Sequence, residues 1–99
     1  MIPEGVILSR RSQLQFDLIV DYLSARNPDA GERLIERFAS DFQQLADFPL
    51  SGARGRTPGT RRLIVAPYVM TYRVRGDDVV IIDIRDGRQR DAPILDDLP

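Results

Sequence analysis

Apolar positions recur with two different periods along this chain, and the change falls near residue 50. Leu14, Leu18 and Tyr22, with Ile19 and Leu23 beside them, repeat every three or four residues, which predicts an amphipathic helix with that row turned to a core. Ahead of it, Gly5 to Leu8 is a short apolar run that reads as an opening strand, and either Ser9 or Ser12 is placed to cap the helix. Asn27-Pro28 then stops one helix and starts another, because Asn caps well and Pro in the first helical turn gives up no needed hydrogen bond. In the second helix Ala30, Leu34, Phe38, Phe42 and Leu45 share a face, joined by Ile35, Ala39 and Ala46, and Pro49 ends it. These residues are read as core.

Beyond Pro49 the period shortens to two. Residues 51–60 are rich in Gly, Thr, Ser and Pro, so they read as a connecting loop that carries Arg54 and Arg56. Its glycines do not make a phosphate loop, since no Gly-Lys-Ser/Thr follows. Three strand-length runs come next: Arg62 to Ala66, Tyr68 to Arg75 and Val79 to Arg85, separated by Pro67 and by the turn Gly76-Asp77-Asp78. In the second run Tyr68, Met70, Tyr72 and Val74 alternate with Val69, Thr71 and Arg73. In the third, Val80, Ile82 and Ile84 alternate with Val79, Ile81, Asp83 and Arg85, and Asp83 with Arg85 is read as a charge pair on an exposed strand face. The fold class expected is α+β, in the order β-α-α-β-β-β, with a helical hairpin packed on an antiparallel sheet. A chain of 99 residues has room for one such domain, spanning 1–99.

Composition narrows the chemistry. The chain has no His, Cys or Trp, so no imidazole base, thiolate nucleophile or zinc ligand of nitrogen or sulfur is present. With no cysteine and no apolar run of membrane-spanning length, the reading is a cytoplasmic protein. All 14 basic residues are Arg and the net charge is −1, so bulk attraction to nucleic acid is not expected. The charge is uneven, however. Six arginines and no acid lie between Phe48 and Gly76, whereas Ser12 to Asp47 holds seven acids and three arginines. The basic half is the candidate contact surface.

The order of elements carries a set of local features. These are Tyr22-Leu23 before Asn27-Pro28, the Ala30 to Arg37 helix start, Leu45 to Pro49, Arg62-Leu63, Pro67-Tyr68, Tyr72-Arg73-Val74, and Val79 to Arg85 followed by Asp86-Gly87-Arg88. In this order and spacing they resemble the RelE/ParE superfamily of type II toxins, over almost the whole chain. The resemblance implies a toxin neutralised by a small ParD-like antitoxin, with mRNA on the ribosome as the target in one branch and DNA gyrase in the other.

The ribonuclease branch carries basic residues entering the first meander strand, an Arg directly after the Tyr that opens the next strand, and a Gly-Lys-Arg followed by a Tyr near the C-terminus. Here Arg61 and Arg62 match the first feature, but Val69 follows Tyr68, the triplet is Gly87-Arg88-Gln89, and no tyrosine comes after Tyr72. Arginines alone stabilise phosphate charge without removing a proton. The resemblance is therefore closer to the ParE-like, plasmid-stabilisation branch, although many of its members carry His where this chain has Asp86. The expected function is gyrase inhibition without a catalytic residue, cofactor or metal, and without membrane or sequence-specific nucleic-acid contact. The alternatives are a ribosome-dependent endonuclease using Arg61, Arg62 and Arg88, or a degenerate homologue that only binds antitoxin. Candidate residues for antitoxin or target are Arg54, Arg56, Arg61, Arg62, Tyr68, Tyr72, Arg73, Arg85 and Arg88. The antitoxin is expected to lay an amphipathic, largely helical segment on apolar surface between helices and sheet, with its acids on the arginines.

Overall fold

A computed structural model describes residues 2–88. Ser9 and not Ser12 caps the first helix, its side chain accepting from Ser12 N at 3.1 Å, so α1 runs Arg10–Arg26 after the strand β1, Val6–Leu8. Asn27 closes α1 and opens α2, Pro28–Asp47, with its side chain accepting from Ala30 N at 3.1 Å. The close approach of the two helices uses Gly31, where a Cβ would collide with Ser24. After α2 come β2 (Ala53–Arg54), β3 (Arg61–Val65), β4 (Tyr68–Arg75) and β5 (Asp78–Asp86).

The five strands form one sheet in the order β1-β5-β4-β3-β2. The α+β architecture expected from the sequence holds, with two additions. First, β1 lies parallel to β5, so the sheet is mixed; the other pairings are antiparallel. Second, the connector expected to be all loop contributes the two-residue strand β2 against Arg61 and Arg62. Gly76, at φ +58°, forms with Asp77 the two-residue turn from β4 to β5.

Both helices cover one face of the sheet, and the core lies between. Phe16 of α1, Leu34, Phe38, Phe42 and Leu45 of α2, and Val65, Met70, Tyr72, Val79, Ile81 and Ile84 of the sheet are buried there. Phe38 stands edge-on to Phe16, with ring centroids 5.1 Å apart, and tilted to Tyr68 at 6.1 Å. The α2 face is the one its period predicts.

The α1 face is not. Leu14, Leu18 and Tyr22 are each at least 60% exposed, while Ser12 and Phe16 are buried and Ile19, Val20 and Leu23 pack against the core. Both rows have helical spacing. What decides between them is Phe16, whose ring reaches Phe38 and Phe42, together with Ser12, whose hydroxyl donates to Ile81 O at 2.8 Å. A hydroxyl on the buried side is what disguises this row in the sequence.

The third meander strand also departs from strict alternation. Tyr72 faces Ile81 and Thr71 faces Asp83, which leaves Ile82 as an extra residue in a β-bulge. Ile81 and Ile84 consequently both meet the core, opposite Tyr72 and Met70. Asp83 is nearly buried, not part of an exposed charge pair.

Candidate functional site

Among the described residues nothing packs over the face of the sheet turned away from the helices. Strand register places on it Ile7 of β1, Ile64 with Arg62 of β3, Val69, Thr71 and Arg73 of β4, and Val80, Asp83 and Arg85 of β5. Ile64 is 67% exposed and Ile7 48%. A one-sided antiparallel sheet ordinarily shows polar residues to water. Here two apolar pairs, Ile7 with Val80 and Ile64 with Val69, stand on either side of the row Asp83–Thr71–Arg62, with Arg73 and Arg85 next to them, and exposed isoleucine beside arginine is a combination found where a protein partner docks.

At the β5 edge, beyond the last residue of β1, the first turns of α1 take the place of a neighbouring strand. Ser9 N donates to Ile81 O at 2.9 Å, and Gln15 both accepts from Ile84 N at 2.8 Å and donates to Asp83 at 2.9 Å. Arg11 and Arg85 reach Asp83 from two sides, each at 3.1 Å. Arg85 is thus a paired residue at the rim. Its carboxylate partner is held by three side chains, which fixes the edge against which the open face is built.

Two of the expected contact residues serve the fold. Tyr72 is fully buried, donating its hydroxyl proton to Pro49 O at 2.8 Å and accepting from Gly52 N at 2.9 Å. Arg61 Nη1 donates to Gly52 O at 2.8 Å and to Leu50 O at 3.3 Å. Together they pin residues 49–52 to the sheet and set where the connector starts. Tyr68 lies on the helix side against Phe38, half-buried.

Arg54 and Arg56 project from the connector, whose residues enclose an open cavity of about 530 Å³ with Leu50, Arg61 and Val74. Arg73, on the open face, has its Nη1 3.9 Å from where a Cβ on Gly59 would sit.

Arg88 follows β5 and is clasped by Asp86, with Nη2 to Oδ2 at 2.6 Å, Nε to Oδ1 at 3.0 Å, and its own N–H to Oδ1 at 2.9 Å. The Arg88 hydrogen bonds, side chain first, hold the Asp86 carboxyl down at about 2. Because this folded-state value lies below the ordinary one, the clasp is complete above about pH 4 and opens as pH falls toward 2. A carbon-detected NMR titration of Asp86 should give a midpoint near 2 in the native protein and a higher one in Arg88→Ala, which loses the guanidinium bonds and keeps the one from the backbone N–H. A midpoint near 4 in both would dissolve the clasp. Gln89, the last residue of the Gly87-Arg88-Gln89 triplet, lies outside the described residues.

The ribonuclease trio does not converge. Arg61 is tethered through Nη1 to Leu50 O and Gly52 O on the other side of the sheet, Arg62 lies on the open face, and Arg88 belongs to the far end of the sheet. Asp86 is opposite Tyr68 and Arg62 opposite Thr71, a separation along β4 of about 10 Å at 3.3 Å per residue. Among the described residues no group of three acidic side chains gathers as a metal site, and no helix is long and apolar enough to cross a membrane.

The sequence reading stressed arginines and missed Ile7, Ile64, Val69 and Val80 as site residues. A signal was present. The run Val79-Val80-Ile81-Ile82 is apolar on both faces, as is Leu63-Ile64-Val65, a pattern that asks for cover on two sides.

Residues 6–91 match the family described as ParE toxin of type II toxin-antitoxin system, parDE. Toxin ParE3 of Caulobacter vibrioides is 44% identical over 64 residues, covering 62% of this chain and 63% of its own. A putative toxin of Sinorhizobium fredii, Y4kP, is 33% identical over 87 residues, covering 86% of this chain and 90% of its own. Among solved structures, a chain of the chromosomal ParDE system from P. aeruginosa superposes with a TM-score of 0.71 at 21% identity, over 83% of this chain and 94% of that one. The conserved hypothetical protein HP0894 from Helicobacter pylori gives 0.55 at 15% identity, over 86% and 96%.

Proposed function

The chain belongs to the ParE toxin family of type II toxin-antitoxin systems, and from that premise we propose that it inhibits DNA gyrase in the cytoplasm by surface contact. We further propose that a cognate antitoxin silences it by covering the helix-free face. The observation that supports the antitoxin part is the exposed apolar side chains of that face, Ile64 above all, set beside Arg62, Arg73 and Arg85. An acidic amphipathic segment matches both features, and its on-rate is expected to fall as salt screens the arginines.

Support for gyrase over the ribosome comes from what Arg62 has around it. Its neighbours across the sheet are Thr71 and Ala53, and the hydrophobic Ile64 shares its face. None of these accepts a proton from a ribose hydroxyl, and RNA cleavage by attack of the 2′ oxygen needs one that does.

Purified gyrase, relaxed plasmid and this chain at micromolar concentration make the direct test. Supercoiling is expected to stop, with cleaved DNA trapped, and the antitoxin should restore activity. Normal supercoiling combined with cut mRNA on translating ribosomes would establish the ribonuclease alternative. Neither effect, with antitoxin still bound, would mark a degenerate homologue. Among interface variants, Arg73→Ala and Arg85→Ala should differ, because binding energy concentrates in few anchors and Arg85 is already paired with Asp83.

A further inference from the structure

We infer that the connector cavity is a phosphate-binding site for the backbone of duplex DNA, distinct from the apolar face assigned to the antitoxin. Three arginines line it: Arg54, Arg56 and Arg61. Among the described residues no acid lines it. The chain's net charge of −1 does not oppose this, since at physiological salt charges act over about 8 Å and the cavity meets only its own neighbours.

The site is partly pre-organised. Arg61 uses one nitrogen, Nη1, for both of its carbonyl bonds, so its guanidinium is held in place. The connector itself is tied by Gly55 N donating to Thr60 O at 2.8 Å and Thr60 N donating to Thr57 O at 3.1 Å. Gly59, at φ +83°, turns the backbone without a side chain on its outer side.

Chemistry separates this cavity from the open face. The face offers isoleucine and valine between arginines and fits a peptide. The cavity offers guanidinium forks with threonine and glycine, which fit phosphate oxygens. Duplex DNA as the source of those phosphates rests on the gyrase reading, because gyrase acts while holding duplex DNA. The contact is to backbone only and reads no sequence, so it supplements the protein contact without replacing it.

The test is fluorescence anisotropy of a labelled 25-bp duplex titrated with the full chain at several salt concentrations, without gyrase. Three phosphates neutralised give a slope of log K against log salt near −3, so a tenfold rise in salt should weaken binding about 500-fold. Arg54→Ser with Arg56→Ser lies on exposed connector positions and should reduce the slope to about −1 while leaving the melting temperature unchanged. Should that double variant unfold, Arg54→Ser alone is expected to bring the slope closer to zero by about 1. Single-stranded RNA and polyglutamate serve as competitors, and both should compete more weakly than unlabelled duplex. Absent binding at low salt, an unchanged slope in a folded double variant, or stronger competition by RNA or polyglutamate would each overturn the inference. Gyrase inhibition without any DNA binding would overturn the cavity assignment and leave the gyrase reading intact. DNA binding without gyrase inhibition would do the reverse.

Discussion

Replacing Tyr72 with phenylalanine should destabilise the fold by about 2 to 4 kcal/mol, although the ring and its packing are kept. The hydroxyl is fully buried and serves two partners at once, accepting from Gly52 N and donating to Pro49 O. Without it a buried donor and a carbonyl lose their partner, at about 1 to 3 kcal/mol each. Gly52→Ala approaches the same junction from the other side. Its Cβ would lie 2.6 Å from the Tyr72 hydroxyl and 2.6 Å from Arg62 O, so backbone or ring must shift, a cost of about 1 to 3 kcal/mol. Urea unfolding checks both: the midpoint should fall with the slope unchanged. A Tyr72→Phe midpoint equal to wild type would mean that water replaces the hydroxyl and that the connector is not held this way. The consequence reaches function through position. Arg54 and Arg56 follow directly on the pinned segment, so loosening it displaces the cavity arginines without touching them.

How far the sequence could be read follows from where local pattern and tertiary packing agree. α2 was legible to the residue because Leu34, Phe38, Phe42 and Leu45 are large, apolar and on one row, with no competing row. α1 carries two rows. The more conspicuous one, Leu14, Leu18 and Tyr22, is solvent-facing, and Arg26 lies over the Tyr22 ring at 3.6 Å, covering part of it. The buried row contains Ser12 and lies beside Gln15, whose polar groups complete the edge of β5. No periodicity reports a side chain that substitutes for a strand.

The bulge at Ile82 was hidden for a related reason. Strict alternation puts Ile84 opposite to Ile81, and only pairing with β4 brings both to the core. Asp83 was read as an exposed partner of Arg85 because the third and fourth members of its cluster, Arg11 and Gln15, are about 70 residues away in sequence, Gln15 being 68. The candidate site was legible by charge and not by shape. Its arginines stand out by charge, but Ile7, Ile64, Val69 and Val80 do not stand out as contact residues, since sequence does not say that both helices gather on the other face.

Ile64 on that face makes the sharpest functional expectation. Ile64→Glu should leave the fold within about 0.5 kcal/mol of wild type, since two-thirds of the side chain already meets water. Antitoxin affinity should nevertheless fall by about 30- to 1,000-fold, the loss of a central interface anchor worth about 2 to 4 kcal/mol. The added carboxylate would oppose acids drawn there by Arg62 and Arg73. The control is Leu18→Glu on α1, of comparable exposure at 60%. Asp17 and Asp21 flank the α1 row, so an acidic segment is repelled there, and this variant should bind antitoxin as wild type does. Calorimetric titration of both variants decides between the surfaces. Loss at Leu18 with full affinity at Ile64 would move the antitoxin to the helix and leave the open face without this role. Loss at both would require one segment long enough to pass around the β5 edge, across Arg11, Asp83 and Arg85, and then Arg11→Ala should weaken binding as well.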